Sequence, residues 1–324
     1  MDNAAALAYL MCALMTLNEL RYLVALDATN HFGKAAENCF VSQPTLSIAL
    51  KKLEEDLGVV LFERSKTQVL PTAVGIRVIE QAKIVLAQAN IIKEIAAGGQ
   101  DALGTPLRIG AIYTVGPYLL PHLLPELRTR APHMPLFIEE TYTGVLRHKL
   151  AHAELDAIII ALPFTEADVV TKPLYEEPFM VLMPNDHPWA TRDAIDIAEI
   201  SDQQVLMLGE GHCFRDQVIA ACPALKQTLA RSDYPMGPTT STSLETLKHM
   251  VASGLGITVL PLSATGLQSY NADWLTIKPF RDPVPKRTVA LAWRASFPRF
   301  AAIDAVYNAA SHCRLWDRDN APAQ

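Results

Sequence analysis

Cysteine is scarce in this chain. Five occur in 324 residues, at positions 12, 39, 213, 222 and 313, odd in number and, one pair aside, far apart. That excludes the dense disulfide framework of a small secreted domain. It suits a reducing compartment, so a cytoplasmic location is expected, where a disulfide is transient. A large excess of basic charge is also lacking. The net charge is −6, which argues against nucleic-acid binding over the whole surface but leaves room for a local footprint on a small domain. Residues 17–97 are balanced in charge, and the acidity lies in 98–324. Clustered CxxC pairs are absent. One histidine and two cysteines spread over eleven residues do not make a zinc site, so neither metal nor cofactor is expected. Long apolar runs are missing as well. Ala4 to Met15 is apolar but too short to span a bilayer, with no basic flank and no clear cleavage site. Residues 1–14 read as an N-terminal extension, with no membrane contact.

What is present is a globular composition, 50% hydrophobic and 19% charged, with length for two or three domains. Residues 15–72 have the pattern of a winged helix-turn-helix. Thr16 with Glu19 fits a capping box ahead of LRYLVAL, whose apolar residues fall at helical spacing. GKAAENC supplies a short second helix with Ala35, Ala36 and Cys39 inward. After the turn at Val41 to Pro44, a third helix runs from about Pro44 to Asp56, capped by Ser42 or Gln43 and closed by Gly58. Leu46, Leu50 and Leu53 make its buried stripe, leaving Thr45, Ser47, Lys51 and Lys52 on faces suited to bases and phosphates. LFERSKTQVLP then reads as two short strands around a basic turn. A solvated helix face carrying two lysines is the plainer use of the same residues.

The segment from Asn18 to Gly75, with its FGKAAE, VSQPTLS, LEEDLGVVLFER and LPTAVG blocks in order, resembles the DNA-binding domain of LysR-type transcriptional regulators. The resemblance implies DNA contact through Ser42, Gln43, Pro44, Thr45, Ser47 and Lys51, and through Arg64 of the wing. Ala49 stands where that family often carries a polar residue, which thins base readout there. Residues 73–97 form one proline-free amphipathic stretch with Ile76, Ile79, Ala82, Ala89, Ile92 and Ile95 at spacings of three and four. A helix this long needs a partner for its apolar face, either its own domain or a second copy; in the resembled family it pairs two protomers. Residues 98–104, GGQDALG, read as a hinge.

The remainder alternates strands and helices from Leu107 onward, arguing for a largely parallel sheet covered by helices. It resembles a two-lobed α/β module like the periplasmic binding proteins. Lobe I is expected over 105–177 and 281–314, lobe II over 178–280, and a tail over 315–324; the return of the chain to lobe I is what the resemblance implies. Ligand sites in such sheets lie beyond strand ends. The candidates there are Thr114, Thr143 and the segment Thr239 to Glu245, where Thr242 and Glu245 also fit a capping box.

The most informative stretch is GEGHCFRDQVIAAC, Gly209 to Cys222. Its spacing predicts a helix over Cys213 to Ala221. Helical rise over nine residues is roughly 13 Å, whereas a disulfide needs Cα atoms within about 7 Å. A Cys213–Cys222 bond therefore requires the helix to unwind. Two cysteines packed as small apolar residues is the plainer alternative. Thiolate sulfur, the form that attacks peroxide, is favoured by helix N-termini and nearby cations. Cys213 opens the proposed helix, with Arg215 within a turn. Cys222 is the only close thiol to resolve a sulfenic acid.

HCFRDQ followed by the second cysteine, with YTVGPYLL and LPHLLPELR before it and TSLETLKHMVASGLGITVLP after it, resembles the hydrogen-peroxide-sensing branch of LysR-type regulators. The resemblance covers most of residues 17–310. It implies a peroxidatic role for Cys213 and a resolving role for Cys222, joined in a reversible disulfide. Supporting roles around peroxide fall on Thr114, Thr143, His212, Arg215 and Asp216, and less closely on Arg287. The implied partners are double-stranded promoter DNA, a homo-tetramer built from dimers, RNA polymerase when activating, and a thiol reductant of glutaredoxin or thioredoxin type. Tyr113, Phe214 and the region after Cys222 depart from the pattern. Three alternatives stand beside this: a regulator with a metabolite in its cleft, a cysteine-dependent peroxidase, and a binding protein without DNA contact, which leaves residues 16–72 without a use.

Overall fold

The computed structural model describes residues 15–64, 69–97, 103–226, 240–241, 243–266, 274–313 and 315. The expected N-terminal extension, the wing tip, most of the hinge, nearly all of the tail, and Thr239 and Thr242 lie outside the described residues. The chain divides into two compact units at Ala96/Ala97.

In the first unit, α1 spans Leu17–Thr29, α2 Phe32–Asn38 and α3 Gln43–Leu57. Both halves of the Thr16–Glu19 capping box form: the Glu19 amide donates to Thr16 Oγ1 at 3.2 Å and the Thr16 amide to Glu19 Oε2 at 2.7 Å. Ser42 caps α3, and Gly58 ends it in the left-handed conformation. Leu46, Leu50 and Leu53 bury one stripe of α3 against Leu20, Leu23 and Leu26 of α1. Each such side chain contributes about 1.5–3 kcal/mol on burial. Strands β1 (Phe62–Arg64) and β2 (Val69–Pro71) pair antiparallel, and Glu54 ties α3 to them by accepting from the amides of Leu61 and Phe62. Helix α4, Ala73–Ala97, starts directly after β2. At Gly75 a Cβ would lie 2.1 Å from the Leu61 carbonyl oxygen, so only glycine lets the helix pass the strand this closely. Ile79 and Ala82 pack into the unit's own core, while Ile76 and Ile92 are exposed. The apolar face of α4 is therefore divided between its own domain and solvent within this chain.

The second unit holds one curled sheet over two separate cores. Strands β3 (Leu107–Ile112), β4 (Leu136–Thr141) and β5 (Ala157–Ala161) run parallel, alternating with α5 (Gly116–Arg130) and α6 (Thr143–Ala151). Strand β6 (Val169–Pro184) is far longer than its apolar end, Phe179 to Pro184, suggests. Its first half alternates half-buried and exposed residues, which hydrophobicity alone does not mark. Strand β7 (Val205–Leu208) leads into α7, Cys213–Ala221, the span that spacing predicts. Then follow β8 (Thr240–Ser241), α8 (Leu244–Ala252), β9 (Ile257–Pro261), β10 (Leu275–Pro279), β11 (Lys286–Arg294) and α9 (Phe300–His312).

The expectation of a largely parallel sheet needs correction. β11 runs antiparallel to both β5 and β6, and β9 and β10 run antiparallel to β6, so the sheet is mixed. The reason is topological: β6 carries the chain out of the first lobe and β11 carries it back. One core draws on residues 107–164 and 289–310, the other on 179–280. The cap of α8 is Ser243, whose hydroxyl accepts from the Glu245 amide.

Candidate functional site

Three helices begin at one small cavity. Helix α5 follows the C-terminal end of β3, α6 that of β4 and α7 that of β7, so the cavity lies beyond the carboxyl ends of strands, where α/β sheets place ligands. Its walls are Ile112 to Thr114, Thr141 to Thr143 and Gly211 to Cys213. None of the three residues that precede these helices, Val115, Tyr142 and His212, hydrogen-bonds its own helix through its side chain. Helix N-termini left this way present unpaired N–H groups and partial positive charge. One carboxyl group stands nearby: Glu140 lies beside Gly116 at the start of α5, and burial raises its pKa toward the neutral form.

The cavity measures about 10 Å³, roughly what a single water-sized molecule needs. Cys213 is half-buried at its edge, the first residue of α7 and a free thiol. Around it, Thr143 Oγ1 and His212 Nε2 are buried with no hydrogen-bond partner. A buried polar atom left unsatisfied costs about 1–3 kcal/mol, so both atoms are set to receive a polar guest. Burial holds the His212 imidazole below its ordinary value of 6.5, keeping the ring neutral and able to donate or accept through Nε2. Thr114 is held differently. Arg287 donates to its hydroxyl at 2.8 Å and to its carbonyl at 2.8 Å. Having accepted, the hydroxyl retains its own O–H to donate.

Arg287 itself is wholly buried and pairs with Glu177, whose side chain is equally buried, at 2.7 Å. The two are neighbours across β6 and β11, and Glu177 also accepts from the Ser263 amide. Phe214, next to Cys213, packs edge-on against Phe179 at 5.0 Å and lies under the Arg287 guanidinium at 5.1 Å. Neighbouring residues of α7 thus face different cores. Cys213 packs against the first, and Phe214 sits in the second with Val218 and Cys222. Cys222 ends the helix, 4% exposed.

The structure brings Cys213, Thr114, Thr143 and His212 to the cavity wall and sets Arg287 behind Thr114. It does not bring Arg215 or Asp216 there. Arg215 turns back to donate to the Leu208 carbonyl at 3.0 Å, and Asp216 lies on the exposed face of α7. Sequence reasoning passed over Tyr142, Gly211 and Glu177. Only Tyr142 carried a signal, an aromatic residue where a helix start ordinarily takes Ser, Thr, Asp or Asn.

On the first unit, Ser42, Gln43, Pro44 and Thr45 are exposed at the start of α3, and Ser47 is half-buried. The Ser42 and Thr45 hydroxyls bond each other at 2.8 Å. Lys51 reaches Glu55 at 3.6 Å and Lys52 reaches Glu19 at 3.8 Å, with both lysines more than half exposed. The Lys51–Glu55 pair is exposed on both sides and therefore weak, whereas Lys52 reaches a buried carboxylate, Glu19. The Arg64 side chain lies outside the described residues. Phe40 and Ile48, which sequence reasoning did not single out, are exposed beside this face at 96% and 69%.

Residues 17–76 match the bacterial regulatory helix-turn-helix of the lysR family, and residues 100–313 match the LysR substrate binding domain. The chain belongs to the LysR family. It is 40% identical over 287 residues to the Escherichia coli K12 protein named DNA-binding transcriptional dual regulator OxyR, covering 88% of this chain and 91% of that protein. Full-length OxyR from Pseudomonas aeruginosa, solved as a cysteine-to-aspartate variant, is 55% identical with a TM-score of 0.76, over 93% of this chain and 99% of that one. A Corynebacterium glutamicum OxyR cysteine-to-serine variant, solved with hydrogen peroxide bound, is 32% identical with a TM-score of 0.59, over 91% of each chain. This LysR-family chain contains no described helix long and apolar enough to cross a membrane.

Proposed function

We propose that this chain is a hydrogen-peroxide-responsive transcriptional regulator in which Cys213 is the sensor. The observation that carries the reading is the cavity: about 10 Å³, edged by a free thiol and lined by two unsatisfied polar atoms, Thr143 Oγ1 and His212 Nε2. Pockets for metabolites occupy roughly 300–1,000 Å³, so this cavity fits a guest of one or two heavy atoms.

The Cys213 thiolate attacks one peroxide oxygen. An S–O bond forms, the O–O bond breaks, and the second oxygen leaves as hydroxide, which takes the proton released by the thiol to become water. The sulfur is oxidised by two electrons to sulfenic acid. Uncapped helix starts and donors from Thr114, Thr143 and His212 stabilise the charge developing on oxygen. Cys222 then displaces water from the sulfenic sulfur to form the disulfide. That second step requires α7 to unwind, since its ends are roughly 13 Å apart and its two cysteines are held in different cores. Unwinding withdraws Phe214 and Val218 from the second core, and this change of packing alters how the helix-turn-helix units of an assembled homo-tetramer sit on promoter DNA. Neither Arg215 nor Asp216 lines the cavity, so neither takes part in the attack on peroxide. DNA contact falls to Ser42, Gln43, Pro44, Thr45, Ser47, Lys51, Lys52 and Arg64. RNA polymerase and a glutaredoxin- or thioredoxin-type reductant complete the cycle.

Alkylating the full-length protein before and after mild peroxide, then mapping thiols by mass, tests the reading. Cys213 and Cys222 should be lost together as one intrachain link, and Cys213→Ser should abolish it. Recovery of both as free thiols at saturating peroxide would overturn the proposal.

A further inference from the structure

The cavity that holds Cys213 owes its size to an aromatic collar. Tyr142 stands at its centre. Its ring meets Tyr113 edge-on at 5.3 Å and His212 edge-on at 4.7 Å, and Tyr113 and His212 lie 6.0 Å apart. Gly211 closes the remaining side. It has a φ of +88°, and a Cβ there would lie 3.3 Å from the Tyr142 ring, so a larger residue would be both strained and crowded. Tyr113 is 37% exposed, which puts it on the solvent side of the collar, while His212 is buried beside the thiol. Tyr142 also sits where α6 begins and makes no capping hydrogen bond. A Ser, Asp or Asn at that position is worth about 1 kcal/mol more to the helix. A local preference set aside at a functional site points to a gain elsewhere, and the Tyr142 ring packs on Tyr113 and His212 of the cavity wall.

We infer that Tyr142, with Tyr113, is a specificity-determining residue that confines Cys213 to hydrogen peroxide and excludes alkyl hydroperoxides. This rests on the reading of Cys213 as the peroxide-reacting thiol. With either oxidant the chemistry is the same. Sulfur bonds to the terminal oxygen of ROOH, the O–O bond breaks, and RO⁻ leaves and takes a proton as ROH, while the thiol becomes a sulfenic acid. What differs is R. A hydrogen fits a cavity of this size; a tertiary carbon with three methyl groups must displace a ring. Tyr142 is the ring it meets, because Tyr142 touches every other aromatic member of the wall.

The test measures the rate of sulfenic acid formation at Cys213 in the full-length chain carrying Cys222→Ser, trapped with dimedone, using hydrogen peroxide and tert-butyl hydroperoxide in parallel. The parent should strongly favour hydrogen peroxide. Tyr142→Ala should shrink the ratio of the two rates about ten-fold or more, the scale on which pockets discriminate small apolar groups. Tyr142→Phe, which keeps the ring, should leave the ratio as it was, and Tyr113→Ala should shrink it less. A ratio unchanged in both alanine variants overturns the collar, as does a parent protein that already accepts the two oxidants equally. A parent whose Cys213 reacts with neither oxidant overturns the sensing proposal itself, so the two failures are distinct.

Discussion

The two units differ in how their helices start. In the first, α1, α2, α3 and α4 each begin with a side chain that accepts from the helix: Thr16, His31, Ser42 and Thr72. In the second, the three helices that meet at the cavity begin with Val115, Tyr142 and His212, none of which does so. Away from the cavity the second unit is mixed: Ser243 caps α8, whereas Arg299 at the start of α9 makes no side-chain cap bond. The difference separates a part built to keep one shape from a part with reason to change. Capped helices resist fraying. A helix whose first turn lacks a cap, whose first residue faces one core and whose second is buried in another is held by packing and is easier to open.

The largest expected effect follows from the packing behind the cavity. Arg287→Ala strands Glu177 uncompensated in a fully buried position and should destabilise the second unit by about 3–5 kcal/mol, read as a lower midpoint in denaturant with the first unit's transition in place. Phe214→Ala comes next, at roughly 3–5 kcal/mol at most for a buried aromatic. It should also speed disulfide closure, because the ring no longer has to leave its site against Phe179 and Arg287. A closure rate equal to the parent's would mean that Phe214 does not hold α7 shut.

Capping substitutions sharpen the contrast directly. Ser42→Ala removes a cap that α3 uses and should cost about 1 kcal/mol. His212→Ser supplies a cap that α7 lacks and should raise the stability of the reduced form by a smaller amount, while slowing oxidation of Cys213 through loss of the imidazole. If both substitutions destabilise equally, the contrast between the units has no energetic content.

The smallest effect is one of pH. Burial lowers the His212 pKa from 6.5 in the folded protein, so the unfolded chain binds the proton more readily. Stability from this group is fully present above about 6.5 and declines as pH falls below it toward the folded value. His212→Gln should flatten that part of the stability–pH curve, measured by denaturant titration across pH 5 to 8.

Much of the first unit was legible because its determinants are local. Thr16 and Glu19, the Leu46–Leu50–Leu53 stripe and Gly58 act within a turn or two of themselves, and α7 began and ended where the apolar spacing of Val218, Ile219 and Ala221 placed it. The sheet was less legible. Half of β6 carries mixed polarity, and β10 has no pattern of its own, because each is a strand by virtue of partners far away in sequence, as Val169 is to Arg294 and Pro184 to Leu275. The site divided in the same manner. Cys213, His212 and Thr114 announced themselves by residue type and neighbours, helped by a family resemblance. Glu177 is a carboxylate in an unremarkable run, and nothing short of folding β6 beside β11 pairs it with Arg287. Arg215 and Asp216 lie close to the thiol in sequence, yet helical geometry sends one back toward β7 and the other to solvent.

Cys213 and Cys222 stand at opposite ends of α7, so joining them requires the helix to come apart. Hydrogen exchange of the segment from Cys213 to Cys222, followed in the full-length chain before and after mild peroxide and paired with thiol mapping, tests this requirement most directly. Exchange should be slow in the reduced protein, with protection along α7 lost in the same molecules that acquire the intrachain link. A link formed with α7 still protected would contradict it.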